Sequence, residues 1–259
     1  MKKKVISIAL VIALIAVIAA GSFAYFTDTD EATNTFTSGN VQIQLLEKQR
    51  DGNGGLEDFE DGKTLLPIVG SAQGEKDALG LSTAKNYVDK IITIQNLSAD
   101  AYVRAYIAVP AALDSVGDAS LNILHVNQPG KNTFVGLDGN SADKAFTWSD
   151  MKMVGTFTDD NGILYNVYYS TYADKLTKDE IAGSAAYVGL YLDKDVDYNA
   201  ETGKYTVTRN NGETTVINFD LSKGVTIPVF AVGVQADGFD NADAAIDAAF
   251  GPNFNPWAE

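Results

Sequence analysis

Residues 41–45, VQIQL, alternate apolar and polar side chains without a break. Successive side chains of a strand point to opposite faces, so Val41, Ile43 and Leu45 share one face and Gln42 and Gln44 the other. This is the pattern of a strand with one face in a core and one in water. The same reading recurs over residues 88–95 and 102–109, joined by the turn Asn96-Leu97-Ser98-Ala99-Asp100. In the second of these, Val103, Ala105, Ile107 and Val109 line one side; Tyr102, Arg104 and Tyr106 line the other, which suits a partly wet surface.

Further along, residues 151–158 and 163–172 flank Asp159-Asp160-Asn161-Gly162, and residues 205–208 and 214–219 flank Arg209-Asn210-Asn211-Gly212-Glu213. Asn-Gly supplies the positive φ angles that tight hairpin turns require, so both pairs are expected as hairpins. Tyr165, Tyr168, Tyr169 and Tyr172 on the second arm of the first hairpin fit cross-strand packing better than a ligand platform. Residues 187–192 read as extended. In residues 225–235, a long final strand, Pro228 must sit at an edge or bulge because it donates no ladder hydrogen bond. Thr177 and Glu180 have capping-box spacing for a short helix, and Asp240 can cap a second helix over residues 241–250, which Gly251 ends. Between residues 110 and 150 the periodicity fails and irregular structure is expected. Strands outnumber helices too heavily for a parallel α/β fold, so the expected class is all-β: an antiparallel two-sheet sandwich or jelly roll with one or two short helices.

The chain has 259 residues, ample to bury a core without staples, and no cysteine, which excludes disulfides, thiolate metal sites and a cysteine-linked lipid anchor. Its 19 basic and 34 acidic residues give a net charge of −15. Before the first strand lie Lys2, Lys3 and Lys4, an apolar or small run over residues 5–20, and small residues Ser22 and Ala24 around Phe23. That order is a secretory signal peptide over residues 1–24, with cleavage between Ala24 and Tyr25. Its three lysines leave with it, taking the net charge from −15 to −18. Such a charge disfavours nucleic acid and anionic membranes and favours cations and solubility, while the signal itself makes signal peptidase an expected partner. Contact with a membrane is expected only before cleavage. The expected organisation is therefore a signal peptide at 1–24, an N-terminal segment at 25–38 and a β-sandwich domain at 39–259.

The junction AYFTDTDEATNTFTSGNVQIQLLE resembles the TasA/camelysin family of Gram-positive secreted proteins. The resemblance rests on Ala24-Tyr25-Phe26-Thr27-Asp28, on Thr35-Phe36-Thr37-Ser38-Gly39, and on the alternating strand that follows; KIITIQNLSADAYVRAYIAV at residues 90–109 adds a weaker match. It implies a jelly roll, and fibres of an extracellular or biofilm matrix in which the mature N-terminal strand of one subunit completes a sheet of the next, with other copies of the chain and other matrix proteins as the partners. Tyr25, Phe26 and Phe36 would be the anchors of that donated strand. Camelysin-type members are described as metallopeptidases, yet the single histidine, His125, cannot supply a two-histidine zinc site.

No cofactor is required on this reading, and calcium is the one candidate ligand. Asp51, Asn53 and Glu57, and separately Asp193, Asp195 and Asp197, place oxygens at alternate positions, but neither run has the glycine and the closing acid of an EF-hand. The expected function is a non-enzymatic fibre subunit secreted to the extracellular matrix or cell surface. The rival readings are a monomeric secreted or surface-bound binding module, stabilised by calcium, and thirdly a metallopeptidase.

Overall fold

The computed structural model describes residues 35–38, 41–59, 65, 69, 70, 74, 75, 77, 79, 81–84, 87–128 and 148–258. The expected signal peptide, its expected cleavage point at Ala24 and Tyr25, and Phe26 lie outside them. All the described residues fall in one compact unit, residues 32–259.

Two five-stranded sheets face each other. The first holds β1 (Thr35–Ser38), β5 (Ala101–Pro110), β7 (Lys152–Thr158), β8 (Leu164–Thr171) and β13 (Val229–Gln235), in the order β1-β13-β5-β8-β7. The second holds β2 (Ile43–Arg50), β3 (Leu56–Asp58), β4 (Val88–Asn96), β6 (Leu124–Asn127) and β9 (Tyr187–Leu192), in the order β3-β2-β4-β9-β6. A small third sheet joins β10 (Val196–Asn199), β11 (Lys204–Thr208) and β12 (Thr214–Val216). The all-β sandwich is thus as expected, with one exception to its antiparallel character: β1 runs parallel to β13. Within the acidic, glycine-rich stretch that follows β2, the strand β3 returns on β2.

The alternation of residues 41–45 has the expected outcome. Val41, Ile43 and Leu45 are buried and Gln42 and Gln44 exposed. These three meet Ile92 and Ile94 of β4, Val103, Ala105, Ile107 and Val109 of β5, and Val229 and Ala231 of β13 in the central core.

The other face of β5 corrects the sequence reading. All ten of its residues are buried, and Tyr102, Arg104 and Tyr106 are not wet. They lie in a second apolar cluster with Val232 and Val234, roofed by the helix α1 (Ala242–Phe250) and by Phe254 and Trp257 beyond it. Arg104 is fully buried there; it donates to Asp247 at 2.9 Å, to Asp243 at 2.7 Å and to Thr171 at 2.8 Å, and stacks over Tyr169. A cation without a partner could not be buried so deeply, and α1 supplies both carboxylates. Asn241, not Asp240, caps that helix, accepting from the Ala244 amide, and Gly251 ends it at φ 92°.

A third cluster of Leu81, Tyr87, Ile91, Ala185 and Val188 covers the outer face of the second sheet. Arg50 pins the chain over it, bonding Asp89, Asp77 and the Ser82 carbonyl.

Two local expectations change. In both Asn-Gly hairpins the bend is a type I turn closed by a glycine, with Gly162 donating to the Asp159 carbonyl and Gly212 to that of Arg209. Only the glycines, at φ 78° and 82°, take the left-handed region, so the asparagines need not. At residues 177–180 the Thr177 amide donates to the Glu180 carboxylate as in a capping box, but the Thr177 hydroxyl donates to the same carboxylate where a capping box would have it accept from the Glu180 amide; the chain makes a turn and no helix follows. Asp179 is left-handed there at φ 64°, and Ile181 returns to pair with Gln95.

Candidate assembly site

The segment TFTS of β1 carries two β-branched threonines and an aromatic, residues that favour extended backbone. It lies on the edge of the first sheet, with Thr35 opposite Ala231, Phe36 opposite Val232, Thr37 opposite Gly233 and Ser38 opposite Val234. Immediately afterwards the chain is in the other sheet: the Gln42 amide donates to Ser98 Oγ at 2.6 Å, and the Leu97 amide to the Gln42 carbonyl at 2.8 Å. β1 and β2 are therefore split between the two sheets, and among the described residues β1 pairs with β13 and has no hairpin partner.

Gly233 shows how closely the two sheets approach at this point. A Cβ placed on it would lie 2.8 Å from Ile43 Cγ2 and 3.2 Å from Val41 Cγ1. The first core residues of β2 thus sit directly on the part of β13 that receives β1.

The four outer edges of the two large sheets differ in their exposure to strand addition. β7 is interrupted by a bulge between Met153 and Gly155, carries Lys152, and has its Thr156 carbonyl bonded by Asn255 at 3.2 Å. β3 is three residues long and carries Glu57 and Asp58. β6 presents His125. β1 alone among the four has no ionisable side chain. Taking it away would leave the ladder groups of β13 open to any matching strand.

The acidic runs have local partners. Asp51 accepts from the amides of Asn53 at 2.7 Å and Gly55 at 3.0 Å, as Asp159 does from Asn161 and Ile163 in the later hairpin. These amide bonds hold the Asp51 carboxyl below its ordinary range. Glu57 accepts from Gln49 across the β2–β3 pair. Asp193 lies 2.8 Å from His125 Nε2, accepts from the Asp195 amide, and has Arg209 3.8 Å away. Burial works to raise this carboxyl, but those three neighbours together bring it below the ordinary value. Asp195 pairs with Lys194, and Asp197 accepts from the next amide in an exposed position on β10.

His125 stacks on Tyr191 with ring centroids 4.8 Å apart, so its ring and its Nε2 are both engaged in joining β6 to its neighbours. Among the described residues no three histidine or acidic side chains gather into a metal cluster. Tyr165, Tyr168, Tyr169 and Tyr172 all pack in place: Tyr165 against Phe157, Tyr169 against Arg104, Tyr172 against Trp148, and Tyr168 with its hydroxyl on Asp114. No helix of the described residues is long and apolar enough to cross a membrane.

Residues 1–49 match the family model described as camelysin metallo-endopeptidase, in agreement with the resemblance read from the junction. The match spans the residues read as a signal peptide, β1 and nearly all of β2. No curated protein and no solved structure matches the chain.

Proposed function

We propose, taking the camelysin-like leader and opening strands as the premise, that this chain is a secreted structural subunit of extracellular fibres, assembled head to tail by donation of its N-terminal strand. The observation that carries this reading is the seat of β1. An uncharged strand, without a hairpin partner among the described residues, occupies the edge of β13, while the chain that continues from it belongs to the opposite sheet. The same strand from another copy makes the same ladder bonds there, with Tyr25, Phe26 and Phe36 as its anchors. Such a contact is heterologous, so it propagates into a filament. Signal cleavage sets the segment free of the membrane and acts as the switch for assembly.

Proline at Phe36 or at Thr37 tests the ladder. Alternate residues of a parallel strand face its partner, so one of the two amides donates to β13 and its loss removes a rung. Filaments are expected to disappear for at least one of the two variants while both melt cooperatively; undiminished filaments in both would remove strand addition from the account.

The name of the matched family favours a second reading, a metallopeptidase. The residues present do not fit that metal centre: the sequence has one histidine, already held by Asp193 and Tyr191, and no His-Glu-x-x-His run. We read the chain as non-enzymatic. Hydrolysis of an unstructured protein by the purified chain, abolished by a chelator, would reverse that reading.

A further inference from the structure

Arg104 makes a demand that nothing in the assembly reading uses. Its guanidinium is buried in the middle of the first sheet's outer face, and its two counter-charges arrive from far along the chain, on α1. The carboxylates are open to solvent where the guanidinium is not: the side chains of Asp243 and Asp247 are 47% and 36% exposed, that of Arg104 1%. Protons therefore reach the acids while the cation stays sealed beneath them.

We propose that residues 237–258 form a latch over the outer face of the first sheet, released when Asp243 and Asp247 are neutralised, while the sandwich beneath stays folded. Arginine does not give up its proton, so with both acids neutral the guanidinium is a buried charge without a counter-charge. Lifting α1 lets water reach it. The groups facing the two acids are Arg104 and Tyr106 from β5, Lys152 from β7, whose ammonium is 3.9 Å from Asp243, and Tyr169 with Thr171 from β8. β13 contributes the apolar Phe230, Val232 and Val234. Both cations thus favour the ionised form of Asp243, and neither stabilises its neutral form. Burial pushes the Tyr106 hydroxyl up to about 12 against the pull of Arg104, so it stays neutral throughout and offers no replacement charge.

The sign follows from Asp243. Burial alone would raise its carboxyl, but the bonds from Thr171 and Arg104 outweigh burial and bring it below its ordinary value. A depressed carboxyl contributes stability above its unfolded pKa and loses it as pH falls through the folded one, so acid opens the latch. The remaining contacts of the latch are largely the apolar ones of Ala242, Ala245, Ile246, Phe250, Phe254 and Trp257, in a cluster separate from the central core. Opening therefore uncovers Tyr102, Tyr106, Val232 and Val234 without unpacking the sheets from each other, a sub-global event.

The test is hydrogen exchange of the full chain, followed by mass spectrometry peptide by peptide, comparing the unmodified chain with Asp243→Asn/Asp247→Asn at neutral pH. Peptides from residues 237–258 are expected to exchange many-fold faster in the double variant, with those of β4 and β9 unchanged. A second variant, Arg104→Met, removes the buried charge itself; compared with the unmodified chain at the same acidic pH, its 237–258 peptides are expected to stay protected. The proposal is overturned if the double variant protects residues 237–258 as well as the unmodified chain, or if exchange rises equally in β4 and β9.

Discussion

Gly189→Val is expected to leave the chain unfolded or stripped of much of its stability. Gly189 lies mid-sheet in β9, opposite Asp89 on one side and Asn127 on the other. A Cβ there would stand 2.5 Å from the Val88 carbonyl oxygen and 2.5 Å from Tyr87 Cζ. The first of these is backbone in a paired strand and cannot step aside. Overpacking usually costs about 1–3 kcal/mol, and with a backbone obstacle the upper end or beyond is expected. Against a typical total of about 5–15 kcal/mol that is severe. Gly233→Ala is the informative comparison, because its obstacles are side-chain carbons of Ile43 and Val41 that can turn. It is expected to fold with a smaller loss but to weaken filaments, since the start of β2 must shift over the seat of β1. Urea titration of the two variants gives the ranking; equal losses would show that the neighbours of the two glycines are equally free to move.

Trp148→Ala is expected to have the other large effect, a loss of about 3–5 kcal/mol. Trp148 is 2% exposed, packs on Tyr172 with centroids 5.1 Å apart, and its Nε1–H donates to the Ser184 carbonyl at 2.9 Å. It ties the entry of β7 to the exit of β8 and to the segment before β9, and no smaller side chain fills that volume. Thermal melting checks it, and a midpoint unchanged from that of the unmodified chain would contradict this packing.

What could be read in advance was whatever depends on near neighbours. The alternation at Val41, Ile43 and Leu45, the extended runs of β4 and β5 and the two Asn-Gly bends all rest on residues close in sequence, where period and turn chemistry suffice; the placing of β4 and β5 in opposite sheets does not. The misreadings come from contacts between distant parts of the chain. Tyr102, Arg104 and Tyr106 look like a wet face by composition; what buries them is α1, some 140 residues away, and only the pairing of Asp243 with Asp247 one helical turn apart hints at a buried cation. The parallel pairing of β1 likewise depends on β13, close to the other end of the chain. At Thr177 only the bond from its amide to the Glu180 carboxylate forms as in a capping box, and Ile181 is drawn into pairing with Gln95, so no helix propagates. Asp51 and Asn53, whose oxygens alternate in the sequence, form an Asx turn, a motif built from the same residue types as a cation site.

The central claim is that the N-terminal segment joins one subunit to the next. Electron microscopy of two purified forms, one starting at Tyr25 and one at Gly39, tests it most directly. Filaments from the first and separate folded particles from the second are the predicted result; filaments from both, or from neither, would contradict it.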